Sequence, residues 1–358
     1  MSLALDHDTA PARARRERLF GLIGKADRWF GVLGLSFLTP LLRLAAGDSA
    51  RAQLRELWRL AIVPMLAIAG FLAVWAQTAP MVQTSLGAVP GPAQVWAQAQ
   101  VLHADHVAKR ESAAAFYARQ EARNAALVAD GKADQVKRRS YTGAPSYYDQ
   151  IRTSLLTVFF GFAIGAAIAI PLGVLAGLSP IGQAAINPLV QVFKPVSPLA
   201  WLPIVTMIVS AAYVSDDPTF SKSFITSAIT ITLCSLWPTL INTTLGVASV
   251  DRDLLNVAKV LRLSTLTKIR RVILPSALPL IFTGLRLSLG VGWMVLIAAE
   301  MLAQNPGLGK FVWDEFQNGG SDSLARIMVA VFTIGLIGFA LDRVMFAVQS
   351  MVTFDKTR

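Results

Sequence analysis

The chain has 358 residues, 54% of them hydrophobic and only 15% charged, with a formal net charge of +11 and a mean hydropathy of +0.52. Average soluble domains carry about 25% charged residues, so this balance excludes a disordered chain and argues against an ordinary soluble enzyme; the apolar excess must face lipid or other spanning segments. One cysteine, Cys234, excludes a disulfide framework and a cysteine-based zinc site. The positive charge comes with no base-reading motif, so it reads as Lys/Arg-rich loops on the cytoplasmic side of a membrane rather than as nucleic-acid binding.

The first eighteen residues are polar and carry Arg13, Arg15, Arg16 and Arg18. No apolar run follows Met1 directly, so the start does not read as a secretory signal peptide. Residues 19–46 are apolar but broken by Lys25, Asp27, Arg28 and Arg43. They read as a helix on the membrane surface with Trp29 and Phe30 as interfacial anchors, the alternative being an extra spanning helix. Six later segments are long enough to span: 57–79, 150–178, 183–214, 223–248, 276–303 and 324–350. The third contains Pro188, Pro195, Pro198 and Pro203, so the pattern predicts a broken or kinked pair of pieces.

Lys and Arg concentrate before the first span and in the loop between spans four and five (Arg252, Lys259, Arg262, Lys268, Arg270, Arg271), whereas 215–221 and 304–323 are acidic or neutral. This predicts a cytoplasmic N-terminus and a cytoplasmic fourth loop, with six spans between the two ends. The expected organisation is an N-terminal extension over 1–56, a first span at 57–79, an external helical insert at 80–149, a core at 150–350 and a cytoplasmic tail at 351–358. The middle of the insert, from Ala97 to Lys137, reads as helix. The fold class is therefore all-α: a polytopic bundle of about six spanning helices with one cytoplasmic loop helix.

No energy source is legible within the chain. The stretch Gly21–Ala26 lacks the spacing and the Ser/Thr of a phosphate-binding loop, and there is no H-E-x-x-H. His103 and His106 have a spacing that can hold a metal, but no further ligand lies nearby, and solvated helix surface is the plainer account. No metal and no catalytic residue are expected. In the fourth loop, Asp253, Asn256, Lys259 and Arg262 form a polar stripe, and Leu254, Val257, Ala258 and Leu261 an apolar face at i, i+3, i+4, i+7. A helix this short is marginal alone. Its apolar face fits either a partner protein or an ordinary surface-lying helix. Ser264 and Thr265 offer a cap to further turns, and Leu274-Pro275 closes the unit.

Charges inside spans are costly and tend to face a bundle interior or water. Lys194 lies among the prolines of span three, Arg286 about ten residues into span five, and Glu300 near its outer end; these are the candidate pathway residues. Lys194 or Arg286 attracts a passing anion, or each belongs to a structural pair or snorkels; Asp342 and Arg343 lie in the inner half of span six. Gly161-x-x-x-Gly165 and Gly173-x-x-x-Gly177 allow close helix approach within one chain or between two.

Asn256-Val257-Ala258, then Arg262, then Val272-x-Leu274-Pro275 resembles the E-A-A-x-x-x-G-x9-I-x-L-P loop of ABC importer permeases, with Asn256 at the acidic position and Arg262 at the glycine. Pro198-Leu199-Ala200-Trp201-Leu202-Pro203 is similar to the P-P-L-A-x-x-P segment of the nitrate/sulfonate/bicarbonate branch. Ser235-Leu236-Trp237-Pro238 through Asn242-Thr243-Thr244, Phe282-Thr283-Gly284-Leu285-Arg286 and Trp313 to Gly319 resemble its nitrate-type members. The resemblance covers about 150–350. It implies an ATPase-coupling loop formed by Asn256, Val257, Ala258, Lys259, Leu261, Arg262, Leu274 and Pro275. It also implies two copies of a separate ATP-binding subunit that holds ATP and magnesium, a second permease copy, and an external binding protein delivering a small anion. Nitrate, nitrite or cyanate is favoured, with sulfonate, taurine or bicarbonate open. The rival classes are a secondary transporter driven by an ion gradient and a membrane-anchored structural protein. The first needs mid-membrane carboxylates and usually internal repeats; Glu300 and Asp342 lie near opposite ends of their spans, and no repeat is visible.

Overall fold

The computed structural model describes residues 19–24, 26–27, 30–31, 34–84, 87–214 and 220–352. The arginines before residue 19, Lys25, Arg28, the anchor Trp29, residues 215–219 of the short acidic loop and most of the C-terminal tail lie outside the described residues. Two compact units emerge, residues 1–78 with 340–358 and residues 79–339.

In the first unit, α1 (Leu38–Ala45) and α2 (Ala50–Leu57) are joined by a turn closed on Asp48, whose carboxylate accepts from Ser49 N (2.7 Å) and Gln53 Nε2 (2.9 Å). Thr39 Oγ1 donates to Asp27 Oδ1 at 2.6 Å. An eight-residue helix rises about 12 Å, against about 30 Å of hydrocarbon, so α1 cannot cross a bilayer. From α2 the chain continues through a π turn at Trp58–Ile62 into α3 (Val63–Thr78). The resulting helix begins at Ala50, ahead of the expected 57, because Arg51, Arg55 and Glu56 are good helix formers that extend the apolar span.

The second unit opens with a small hairpin, β1 (Gln83–Thr84) against β2 (Gly87–Ala88), and then a 38-residue helix, α4 (Pro92–Ala129). This helix starts earlier and stops earlier than the expected Ala97–Lys137. Pro92 stands at its first turn, and Gln94 Oε1 accepts from Gly91 N. Gly131 ends it with φ +74°, while Gly131 N and Lys132 N bond back to Val128 and Leu127 carbonyls. The returning segment lies along α4: Asn124 Nδ2 donates to Lys137 O, Arg139 N to Gln120 Oε1, and Tyr141 N to Tyr117 OH. His103 and His106 place their Nδ1 atoms 3.2 Å from Tyr148 OH and 2.8 Å from Ser146 Oγ. Both histidines thus serve to fasten α4 to the start of the next helix.

That helix, α5 (Tyr147–Gly177), is capped by Ser146 and Asp149 in a reciprocal box. It packs along α8 (Lys222–Ala248), the most enclosed helix of the unit. Gly161, Gly165, Ala169, Gly173 and Gly177 recur every four residues and form one smooth face. At Gly177 an added Cβ would lie 2.6 Å from Val247 Cβ and 2.7 Å from Thr244 O; at Gly173 it would lie 2.7 Å from Thr243 Cβ. Both small-residue motifs therefore serve packing within the chain. Between these helices run α6 (Pro180–Phe193) and α7 (Pro198–Ala212), bent by 99°. This is the broken third span that the prolines predict. Each piece starts with Ser-Pro, a cap followed by a residue with no donor to lose: Ser179 Oγ accepts from Gly182 N, and Ser197 Oγ from Leu199 N.

The loop helix α9 (Arg252–Val260) follows, then α10 (Thr265–Lys268), a π turn at Ile269–Ile273 and α11 (Leu274–Ala303). Pro275 was expected to close the loop, yet the helix runs unbroken from Thr265 to Ala303 over 39 residues. The wider π turn accommodates the proline, which stands in the first turn of α11. Then come α12 (Leu308–Asn318) and α13 (Ser323–Val352), of which the part up to Phe339 belongs to this unit and the rest to the first. Among the described residues five helices are long and apolar enough to cross a membrane, or six if the bent pair counts as one span.

Gly177→Ala should lower the thermal stability of the detergent-purified protein by about 1–3 kcal/mol, the usual cost of overpacking. Gly290→Ala, where an added Cβ meets nothing within 4 Å, should be neutral or slightly stabilising. Equal melting temperatures for the two variants would contradict the packing described.

Candidate functional site

The fourth loop folds from its own capping signals. Asp251 caps α9 by accepting from Asp253 N (2.9 Å). At the other end Arg262 has φ +48°, and Arg262 N and Leu263 N bond back to the carbonyls of Lys259 and Ala258. This is the double-bonded C-terminal turn that usually ends in glycine. The family's glycine and this chain's Arg262 thus occupy a position defined by backbone conformation.

The apolar face predicted for α9 is split. Ala258 is only 2% exposed, and Leu255 packs against a cluster of buried residues that includes Val174, Val247, Val250, Ile273 and Ala277. Val257 (55%) and Leu261 (64%) remain exposed, joined by Leu254 and Val260. The expectation that Ala258 lies on the free face is therefore corrected. Residues at i, i+3 and i+4 span a wide arc, and one edge of that arc is consumed by the protein's own core. Asn256, Lys259 and Pro275 are exposed, and Leu274 is partly buried against the cluster.

At the bend between α6 and α7, Lys194 ends α6, its backbone N bonding to Val190 O. Its side chain is exposed and makes no ion pair among the described residues. The neighbouring Phe193 ring lies 5.9 Å from that of Trp201 and 6.2 Å from that of Trp237, stacked on the latter at 8°. These aromatic partners were not singled out for contact with one another from sequence, where only the motif around each was visible. Arg286 is half-buried on α11. Helices α8 and α11 run antiparallel, with Gly246 against Ala277 and Gly292 against Ile231, and Ser288 Oγ accepts from Thr239 N (3.1 Å), which sets Arg286 at about the depth of Ile241 along the bundle.

Glu300 is fully buried rather than lining open space. Ser154 Oγ lies 3.0 and 2.8 Å from its two oxygens, Gly309 N donates to Oε2 (3.0 Å) and Asn305 Nδ2 to Oε1 (3.4 Å). Leu308 N in turn donates to Ser154 Oγ (2.8 Å), and Asn305 Nδ2 to Thr157 Oγ1 (3.1 Å). The carboxylate is thus engaged with α5, α12 and the loop before α12, and Lys194 is not among its partners. Asp342, the other carboxylate considered for Lys194, lies 3.3 Å from Arg343.

Comparison with known proteins matches residues 169–353 to the family described as binding-protein-dependent transport system inner membrane component. The chain is 37% identical over 204 residues to the nitrate import permease protein NrtB of Synechococcus elongatus, covering 57% of this chain and 69% of that one. It is 38% identical to the bicarbonate transport system permease protein CmpB of a Synechocystis species, covering 57% and 68%. A probable ABC transporter permease of Brucella melitensis is 36% identical, covering 57% and 77%. Together with the helical fold and its apolar spans, these matches mean that the chain belongs to the inner-membrane components of binding-protein-dependent transport systems: it is a multi-pass permease subunit of an ABC importer, a class that works with ATP-binding and substrate-binding partners.

Proposed function

We propose that this permease carries a small anion, with nitrate, nitrite or cyanate favoured over bicarbonate, sulfonate or taurine. The observation that carries the reading is the similarity, at 37–38% identity, to relatives named for nitrate and bicarbonate. Two copies form the pathway above two ATP-binding subunits, which hold ATP and magnesium, and a periplasmic binding protein delivers the anion. The chain itself holds no cofactor. In this reading residues 1–56 are cytoplasmic, 57–79 form the first span, 80–149 are periplasmic, 150–350 form the core and 351–358 return to the cytoplasm.

The loop from Asn256 to Pro275 is the coupling segment. Support comes from the exposed edge of α9, where Leu254, Val257, Val260 and Leu261 leave a small apolar ridge on a charged loop. An ATP-binding subunit with a groove for that ridge would bias the bundle between two states by its differential affinity for them. Lys194 and Arg286 are assigned to the pathway. Lys194 is a cation exposed at the bend and Arg286 is half-buried on α11, so both can attract a passing anion by charge. Glu300, the third candidate, is enclosed and has the separate role argued in the next subsection.

Three outcomes are expected. Val257→Asp should leave a stable, inserted protein that no longer retains the ATP-binding subunit on purification or supports uptake, whereas Arg262→Gly should keep both, since glycine suits φ +48°. Normal uptake by the Val257→Asp protein would defeat the coupling assignment. A membrane-impermeant thiol reagent on intact spheroplasts should label a cysteine placed at Ser112 and not one at Ser264, with Cys234 replaced; reversed labelling would invert the topology. Finally, Lys194→Arg should retain most nitrate uptake and Lys194→Met lose it at equal membrane abundance, and full uptake by Lys194→Met would remove Lys194 from the pathway.

A further inference from the structure

We infer that Glu300 is a positioning residue that fastens the outer helix α12 and the start of α5 to the far end of the helix that rises from the coupling segment, so that displacement at α9–α10 reaches the outer face of the permease. The inference rests on the coupling reading of that segment.

The geometry begins with the continuous helix. From Thr265 in the coupling segment to Ala303 it runs 39 residues, about 58 Å at 1.5 Å per residue. Such a helix transmits displacement along its length only to what is fixed to its end. Glu300 stands one turn from that end. Three donors meet its carboxylate: the Ser154 hydroxyl from α5, the Asn305 amide from the connecting loop and the Gly309 backbone N–H from α12. Leu308 N donates to Ser154 Oγ, so the serine hydrogen is turned toward the carboxylate. The loop is shaped for this approach. Gln304 reverses the chain with φ +54°, and a Cβ at Gly307 or Gly309 would run into Glu300 itself. At its other end α12 is held by Glu315, which accepts from Ser323 Oγ and Arg326 Nη1, both at 3.1 Å. Phe311 packs on Tyr147 with ring centroids 4.9 Å apart. The outer helix is therefore braced along its length; it meets α11 through the short connecting loop and the approach of Gly309 to Ile297, and Glu300 supplies the hydrogen bonds of that joint.

A buried carboxylate facing only donors is sensitive to one isosteric change. In Glu300→Gln the new amide group must face either Gly309 N–H, which cannot turn, or the Asn305 amide. Flipping Asn305 would then take its donor from Thr157, whose own hydroxyl donates to Thr153 O (2.8 Å), and leave an amide oxygen there, a weaker acceptor than a carboxylate for drawing that hydroxyl away. Pairing Glu300→Gln with Asn305→Asp lets every group find a partner again. The glutamine oxygen accepts from Ser154 and Gly309, and the aspartate oxygen standing where Asn305 Nδ2 was accepts from the glutamine amide and from the Thr157 hydroxyl, once that turns from Thr153 O.

The test uses the full importer, co-purified with its ATP-binding subunits and reconstituted with its binding protein. Nitrate is the transported probe, or bicarbonate if the wild-type complex imports that instead. Uptake and ATP hydrolysis are measured per folded transporter, with and without the binding protein. Glu300→Gln should retain the ATP-binding subunits and unstimulated hydrolysis but lose about tenfold or more in binding-protein-stimulated hydrolysis and uptake, the scale of one lost bond to a charged group. Ser154→Ala should move the same ratio in the same direction, and the Glu300→Gln/Asn305→Asp pair should recover most of it. Stimulation within twofold of wild type in Glu300→Gln would overturn the inference. So would a loss of folded protein with unchanged stimulation per folded molecule, which would make the cluster a brace alone. If Val257→Asp imports normally, the coupling reading falls and this inference with it; if Val257→Asp is inactive while Glu300→Gln is normal, only this inference falls.

Discussion

Backbone-to-backbone contact between α5 and α8 is the constraint on which the second unit depends. Hydrocarbon supplies no hydrophobic drive between two apolar helices, so their association rests on close packing and interhelical hydrogen bonds. The glycine ledge supplies the first, with Gly161, Gly173 and Gly177 each so near α8 that a methyl group would collide. It also supplies part of the second, since the approach brings Thr232 Oγ1 within 2.9 Å of Gly161 O. With α8 enclosed on that side by α5, its other side receives α11, where Ser288 meets Thr239 and Gly284 lies against Pro238 and Asn242. The bend between α6 and α7 is built against the same helix, through Phe193 and Trp237.

Much of this was legible in the sequence, for identifiable reasons. Apolar runs of about 20 residues have few alternatives to spanning helices, so the number of spans and the all-α class followed from length and composition. Four prolines in one segment required a break, and the Ser197-Pro198 pair marks where the second piece begins. The glycine spacing announced close packing, although not its partner, because a smooth helical face is the same whether the neighbour belongs to the same chain or to another.

What was illegible depended on contacts between distant segments. Periodicity located the apolar residues of α9 but could not divide them between the core, which takes Ala258 and Leu255, and the free edge, which keeps Val257 and Leu261. Pro275 marked the entry to span five, where it stands in the first turn of α11, but nothing local signals the π turn that joins that span to the loop as one helix. Glu300 read as a pathway charge, since a lone carboxylate in a span looks the same whether it faces water or three donors; Ser154 lies 146 positions away in the chain.

The length of the helix from Thr265 to Ala303 has a consequence for the lipid around it. At about 58 Å it is nearly twice the hydrocarbon thickness of about 30 Å. Part of it must therefore extend beyond the acyl chains, and the portion with Lys268, Arg270 and Arg271 is the costliest to bury in them, so that a position at the headgroups suits those cations. A thicker or thinner bilayer then meets a rod with length to spare and a basic collar near one end. Such a rod answers a change in thickness by tilting or sliding, at a cost of only fractions of a kcal/mol per Å. Anionic headgroups around the collar add about 1 kcal/mol per basic residue to hold it at one depth. Membrane composition would then set how far the fourth loop stands from the bilayer surface, independently of any nucleotide.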